Sequence, residues 1–221
     1  MTQNPSAGAT GGVQLAALSL LAALLFFPLF ITRGIGAFDF WWWMAGNNLV
    51  LFALALASSH DYRRALRADL SERLFKKILV GLLAALVLFV VFYIGNRVSR
   101  ELFSFAGSGI DNVYTFKEGA STVRIGVLIG FIIGPGEELF WRAFLQRALS
   151  QRYGAVYGFA LATAFYAFVH AGTGNPMLVF AALVCGLFWG WLYLRFKSVV
   201  LTAVSHTAWD LVVFLALPFG P

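Results

Sequence analysis

Residues 78–94 read ILVGLLAALVLFVVFYI, a run without a single charged side chain. A bilayer core about 30 Å thick is crossed by a helix of roughly 17 to 25 apolar residues, and this run is long enough. Because hydrocarbon offers no water to backbone polar groups, a spanning segment must pair those groups internally, as a helix does. The run therefore predicts a transmembrane helix.

Six similar apolar runs lie on either side of this predicted helix. They cover residues 13–32, which include Pro28, then 40–57, 153–170, 177–194 and 199–217, and a run from about 123 that Gly134-Pro135-Gly136 interrupts. The run at 40–57 opens with three tryptophans, Trp41 to Trp43, a cluster typical of the membrane–water interface. We expect an all-α, polytopic transmembrane helix bundle of about seven spans, forming a single integral membrane domain over residues 1–221.

The composition agrees with a membrane protein. Hydrophobic residues make up 60% of the chain and charged residues only 12%, against about a quarter in ordinary globular domains. The net charge is +6, but the basic residues lie mostly between apolar runs. That placement indicates topology control and contact with anionic lipid rather than a nucleic-acid partner. No basic segment precedes the first apolar run, so a cleavable signal peptide is not expected.

Residues 59–77 form the most basic connection and hold six of the sixteen basic residues. Tyr62, Leu66, Leu70 and Leu74 recur every four positions, and Asp69 with Arg73 would be an i,i+4 ion pair. This pattern predicts an amphipathic interfacial helix at about 60–76 on the cytoplasmic surface; a solvated basic loop is the alternative. The connection 96–122 either dips into the interface or caps the bundle.

Basic residues also predict the orientation of the chain. Residues 59–77 and the surroundings of Arg147 and of Arg195 are expected on the cytoplasmic side. They fall on one side if seven spans alternate from a cytoplasmic N-terminus. The protein is then a multi-pass integral membrane protein, of the plasma membrane if the source is bacterial.

Ionisable residues within the apolar runs are candidates for function, because a charge at bilayer depth is costly. Those residues are Glu137, Glu138, Arg142, His170, His206 and Asp210. Gly134-Pro135-Gly136 predicts a helix break followed by a new helical start. Glu138 and Arg142 then share a helical face and can neutralise each other, whereas Glu137 points about 100° away and is free to act as a base or ligand. A helix cap with a structural ion pair is the alternative.

The histidines lie on later spans. His206 and Asp210 are four residues apart and share a face, so the carboxylate can orient the imidazole. Taken singly, His170 and the His206–Asp210 pair are also explained as polar contacts between helices. The single cysteine, Cys185, lies in an apolar run and is read as a buried thiol, with a nucleophile as the alternative. The functional interpretation rests on three spans each supplying proton-transfer groups.

At these residues the chain resembles the CPBP family of intramembrane glutamate-type proteases, and within it the CAAX prenyl endopeptidases. The family pattern is Glu-Glu-x-x-x-Arg, then Phe-x-x-x-His, then His-x-x-x-Asn or Asp, on separate membrane helices. In this chain the three motifs begin at Glu137, Tyr166 and His206, and the match covers about residues 123–217. Tyr166 replaces the phenylalanine, and Asp210 stands where the prenyl endopeptidases tend to carry asparagine.

The resemblance implies roles for the candidate residues. Glu137 would activate a water as general base with help from His170, and His206 with Asp210 would support the oxyanion. Glu138 and Arg142 would hold the helix geometry. The implied substrate is a membrane-associated peptide or lipidated protein: a CAAX-type C-terminus, a bacteriocin-type leader or another membrane peptide.

Two other classes of protein fit the same residues. One is a non-enzymatic immunity or scaffolding protein on this fold, and the other is a proton-coupled transporter. No cofactor is expected, and the alternative is a divalent metal such as zinc at Glu137, His170 and His206.

Overall fold

The computed structural model describes residues 10–220 as a bundle of helices. The bundle contains α1 (Gly12–Thr32), α2 (Phe40–Ser58), α3 (His60–Ser71), α4 (Leu74–Leu102), α5 (Ala106–Tyr114), α6 (Thr122–Leu128), α7 (Gly134–Glu138), α8 (Arg147–Tyr153), α9 (Ala155–His170), α10 (Pro176–Phe196) and α11 (Val199–Leu211). Two-residue strands β1 (Gly34–Ile35) and β2 (Phe38–Asp39) pair antiparallel between α1 and α2. The predicted cytoplasmic N-terminus lies outside the described residues.

Within residues 10–220, six helices are long and apolar enough to cross a membrane. They are Gly12–Thr32, Phe40–Ser58, Leu74–Leu102, Ala155–Thr173, Pro176–Phe196 and Val199–Ala216. The pair Ala106–Lys117 and Thr122–Tyr153, bent by 92°, brings the number to seven if it is counted as one span. The predicted all-α polytopic bundle is therefore confirmed.

The helix that carries the first motif is continuous, so the predicted break at Gly134-Pro135-Gly136 is wrong. Between α6 and α7 the chain forms a π-helical segment, Ile129–Ile133, and a second one, Leu139–Gln146, leads into α8. A proline lacks an N–H donor, and its ring presses on the carbonyl four residues earlier. The wider π-helical turn directly before Pro135 accommodates both effects without ending the helix.

Gly134 and Gly136 do not break the helix but allow neighbouring helices to pack closely against it. A Cβ on Gly136 would lie 2.8 Å from the Asn48 Cβ on α2, and one on Gly134 would lie 3.0 Å from the Thr207 Cα on α11. Small residues of this kind let membrane helices approach closely. They bring the first motif into contact with α2 and α11.

Helix α3 packs on the bundle and is shorter than predicted. Tyr62 and Leu66 are buried and the Tyr62 hydroxyl donates to the Leu139 carbonyl at 2.9 Å, whereas Leu70 is 60% exposed. The helix ends at Ser71 and not near residue 76, because Arg73 adopts a left-handed conformation from which α4 starts. The predicted pair of Asp69 with Arg73 is consequently wrong, and Asp69 Oδ1 pairs with Lys77 Nζ at 2.8 Å instead.

The three segments predicted to be cytoplasmic lie at one end of the bundle. Asp61 of α3 accepts from Arg147 of α8 at 2.8 Å, and Asp69 accepts from the Val200 backbone N–H at the start of α11 at 2.9 Å. Ten of the sixteen basic residues belong to these segments: Arg63, Arg64, Arg67, Arg73, Lys76, Lys77, Arg147, Arg152, Arg195 and Lys197.

The connection 96–122 caps the opposite end of the bundle. Helix α4 continues to Leu102, and α5 with the 3-10 turn Thr115–Lys117 folds back over the bundle. The Trp41 indole donates to the Phe116 carbonyl at 2.8 Å and is only 3% exposed. Trp41 is thus packed inside this end of the bundle, whereas Trp42 is 45% exposed.

Candidate active site

A cavity of 280 Å³ lies inside the bundle, and four of the predicted site residues line it. These residues are Glu137, His170, His206 and Asp210, contributed by α7, α9 and α11. Most of the remaining wall is apolar or aromatic and includes residues of α2, α4, α5 and α10. A concave, largely apolar site with a few convergent polar groups is the usual form of a ligand-binding or catalytic pocket.

Glu138 and Arg142 lie behind the cavity wall and form the predicted ion pair. Arg142 Nε is 3.4 Å from Glu138 Oε2, and both side chains are completely buried. The Arg142 guanidinium carbon also lies 4.8 Å from the centre of the Tyr166 ring. Neither residue lines the cavity.

His206 lies between two carboxylates. Its Nδ1 is 2.9 Å from Glu138 Oε1, and its Nε2 is 3.4 Å from Asp210 Oδ2. The Trp189 ring stacks on the imidazole with centroids 3.7 Å apart and planes inclined by 17°. The ring is therefore fixed in its plane by the indole and in its rotation by the carboxylates.

Glu137 has a partner from a neighbouring helix. The Tyr166 hydroxyl on α9 donates to Glu137 Oε2 at 2.7 Å. Within residues 10–220, no other side chain hydrogen-bonds this carboxylate, and Glu137 lines the cavity. One oxygen of Glu137 is thus engaged, and Oε1 remains for chemistry.

His170 is oriented by its own helix. Its Nδ1 lies 2.7 Å from the Tyr166 carbonyl oxygen, which can only accept, so Nδ1 carries a proton. In the neutral ring, Nε2 then has a free lone pair. The Phe30 ring lies 4.5 Å from the imidazole and holds it against α9.

Two further predictions concern Cys185 and a possible metal site. Cys185 is a free, buried thiol, as predicted, and it lines the same cavity. Over the part of the chain that the structure describes, no group of three or more His, Cys, Asp or Glu side chains has an arrangement that could hold a metal ion. The zinc alternative at Glu137, His170 and His206 therefore has no geometric support.

Of two further residues that contact this site, Trp189 was not singled out from the sequence, and Tyr166 was noted only as a departure from the resembled pattern. Trp189 lies in an apolar run, where an aromatic residue is ordinary core, so nothing local predicted its stacking on His206. Tyr166 carried a signal, since a hydroxyl stands there in place of the phenylalanine of the resembled pattern. In the structure that hydroxyl donates to Glu137.

The fold and the site together describe an integral membrane protein that encloses glutamate, histidine and aspartate side chains in an apolar cavity. Residues 118–212 match the family model described as type II CAAX prenyl endopeptidase, Rce1-like. This match confirms the resemblance to the CAAX proteases, spans α6 to α11, and contains all six candidate residues. At the family level it supports a membrane endopeptidase of the CAAX type. Comparisons with curated proteins and with solved structures returned no match.

Proposed function

We propose that this protein is an intramembrane peptidase that hydrolyses a membrane-associated peptide or lipidated protein with a water molecule activated by Glu137. The convergence of Glu137, His170, His206 and Asp210 on one apolar cavity carries this proposal. Charged and polar groups are expensive inside a membrane and usually face a functional cavity there.

The base step uses the two acceptors that face the cavity. A water between Glu137 Oε1 and His170 Nε2 can donate one hydrogen to each acceptor, which directs an oxygen lone pair toward a substrate carbonyl. As the water oxygen bonds to the carbonyl carbon, Glu137 takes one proton. When the C–N bond breaks, Glu137 returns that proton to the leaving amine, and the carboxylate is regenerated.

The oxyanion of the tetrahedral intermediate requires a fixed donor, and we assign this role to His206. Its Nδ1 faces Glu138 and its Nε2 lies at the cavity side beside Asp210, at 3.4 Å from Oδ2. An imidazolium between two carboxylates retains its Nε2–H and can share it with the oxyanion. Because Trp189 and Glu138 already fix the ring, little reorganisation is needed as charge develops.

The substrate is a peptide near a lipid chain or an apolar segment. The cavity wall is formed by side chains such as Phe30, Met44, Ile110, Leu178 and Phe214, which favour apolar groups. A CAAX-type C-terminus and a leader peptide both present such groups next to a peptide bond.

A cleavage assay with purified protein in nanodiscs tests the proposal. A library of membrane-tethered peptides, with and without a prenyl group, is incubated with wild-type protein, and products are identified by mass spectrometry. Glu137→Gln should abolish turnover, whereas Glu118→Gln, which changes an exposed glutamate, should leave it intact.

The outcomes also separate the rival functions. Absence of cleavage across the library, with a Glu137-dependent proton flux in liposomes, would replace the peptidase with a proton-coupled transporter. Absence of both would favour an immunity or scaffolding protein. Equal cleavage by wild type and Glu137→Gln would refute the assigned base.

A further inference from the structure

Tyr166 contacts three functional side chains at once. Its hydroxyl donates to Glu137 Oε2 at 2.7 Å, and its carbonyl oxygen accepts from His170 Nδ1 at 2.7 Å. The guanidinium carbon of Arg142 lies 4.8 Å from the centroid of the Tyr166 ring, and the centroids of the Tyr166 and His170 rings are 4.7 Å apart. Tyr166 is 4% exposed and lines the cavity beside Glu137.

The backbone contact and the hydroxyl contact are chemically separable. Any residue at position 166 offers a carbonyl to His170, but only the tyrosine hydroxyl reaches Glu137. The phenylalanine of the resembled pattern lacks that donor, so the contact is a property of this chain.

We propose that the Tyr166 hydroxyl is a positioning residue for the reaction: it holds Glu137 with Oε2 engaged and Oε1 toward the cavity, and it stabilises the carboxylate form. This inference rests on the proposed role of Glu137 as base. A hydrogen bond to an ionised acceptor is about twice as strong as a neutral one. The donor thus keeps Glu137 ready to accept a proton in an apolar cavity that disfavours charge.

Other charged and titratable groups surround Glu137. Glu138 on its own helix and His206 with Asp210 on α11 act on its charge. His170 on α9 and Cys185 on α10 line the same cavity, and Arg142 lies on the same helix as Glu137. None of these is changed by Tyr166→Phe, which removes only one oxygen atom. A change in the protonation of Glu137 in this variant therefore reports the hydroxyl.

The experiment combines an infrared titration with kinetics. The carboxylic acid band of Glu137 is assigned by its loss in Glu137→Gln, and its intensity is followed against pH in nanodiscs. In Tyr166→Phe we expect the midpoint of the Glu137 titration to move up by about one to two pH units, because the carboxylate loses a hydrogen-bond donor. With a cleavable peptide, kcat of Tyr166→Phe should be about 10- to 100-fold below that of wild type, and KM should change by no more than about two-fold. The acidic limb of its kcat–pH profile should lie at higher pH than that of wild type.

A second variant at the same position gives the opposite shift. Replacement of Tyr166 by 3,5-difluorotyrosine keeps the ring and provides a stronger donor, so the midpoint should move to lower pH. Tyr62→Phe is the matched control, because Tyr62 is also buried and loses a hydrogen bond, here to the Leu139 carbonyl, outside the cavity. It should leave the Glu137 midpoint unchanged.

The infrared result stands independently of catalysis. If no peptide is cleaved but the titration midpoint of Glu137 moves in opposite directions in the two Tyr166 variants, the proposed function fails, while the hydroxyl still holds and stabilises the Glu137 carboxylate. If peptides are cleaved but Tyr166→Phe leaves both the midpoint and the acidic limb in place, the positioning role is refuted.

Discussion

Glu138 Oε1 accepts a hydrogen bond from His206 Nδ1 at 2.9 Å, although 68 positions separate the two residues in the chain. The same carboxylate faces Arg142 Nε through its other oxygen at 3.4 Å. Glu138 therefore joins a cation of its own helix to an imidazole of α11. It sets the position of His206 relative to the cavity without lining that cavity itself.

Glu138→Gln should reduce stability as well as activity. The variant leaves the fully buried Arg142 without a neutralising charge, and breaking a buried pair in this way costs about 3 to 5 kcal/mol. Glu137→Gln should instead be inactive with nearly wild-type thermal unfolding, because Glu137 has no cationic partner of this kind. Thermal unfolding in detergent measures both.

A second substitution checks this division of roles. Arg142→Met in the Glu138→Gln background removes the stranded cation, so part of the lost stability should return. Equal stability losses in Glu137→Gln and Glu138→Gln would contradict the division.

Gly136→Ala should destabilise the bundle, since the new Cβ would lie 2.8 Å from the Asn48 Cβ on α2. Overpacking of this kind typically costs about 1 to 3 kcal/mol. Gly130→Ala is the matched control on the same composite helix, because nothing lies within 4 Å of a Cβ there. Similar unfolding temperatures for the two variants would show that α2 shifts to accommodate the new Cβ without loss of stability.

The contact between α3 and α8 should be sensitive to acid. Burial opposes ionisation of Asp61, but hydrogen bonds from Gln151 and Arg147 outweigh it and hold the Asp61 pKa below its ordinary 3.8. A lowered folded-state pKa gives stability that is present above 3.8 and is lost as pH falls through the folded-state value. Asp61→Asn should thus be less stable than wild type near neutral pH, and the difference should vanish in acid.

The size of that effect is small. Both side chains are about a third exposed, and such ion pairs contribute about 0 to 1 kcal/mol. Parallel unfolding of wild type and Asp61→Asn across pH provides the measurement. A difference that grows on acidification would contradict the assigned sign.

The sequence predicted those parts of the molecule that depend on local periodicity. The seven apolar runs correspond to the six candidate spanning helices and to the helix that carries the first motif, and a spacing of four residues predicted the pairs Glu138 with Arg142 and His206 with Asp210. It did not predict the contacts of Glu137 with Tyr166 or of His206 with Trp189, because these depend on how distant helices pack. The break predicted at Pro135 is absent because the preceding π-helical segment accommodates the proline. The sequence did not predict that segment, because it depends on packing against other helices and not on Gly134-Pro135-Gly136 alone.

Seven alternating spans predict that residue 77 and the C-terminal end lie on opposite sides of the membrane. Ten basic residues at the α3 end of the bundle favour that end as the cytoplasmic one. Reporter fusions after Lys77 and at the C-terminus should therefore give opposite signals, with Lys77 inside. Signals from the same side would refute the seven-span arrangement.

Asp210 is the departure that bears most directly on chemistry, since a carboxylate beside a developing oxyanion would repel it. Its Oδ2 lies 3.4 Å from His206 Nε2, and Glu138 faces Nδ1 of the same ring, so both carboxylates favour an imidazolium. Asp210→Asn should stay active, because the amide oxygen of asparagine can still accept from His206 Nε2. Its alkaline limb in a kcat/KM profile should move to lower pH, because one stabilising charge is gone. Asp210→Ala should lose most activity, because it removes the acceptor beside that nitrogen. A flattened limb in Asp210→Asn would instead identify Asp210 as the titrating donor, and an inactive Asp210→Asn would show that the carboxylate itself is required.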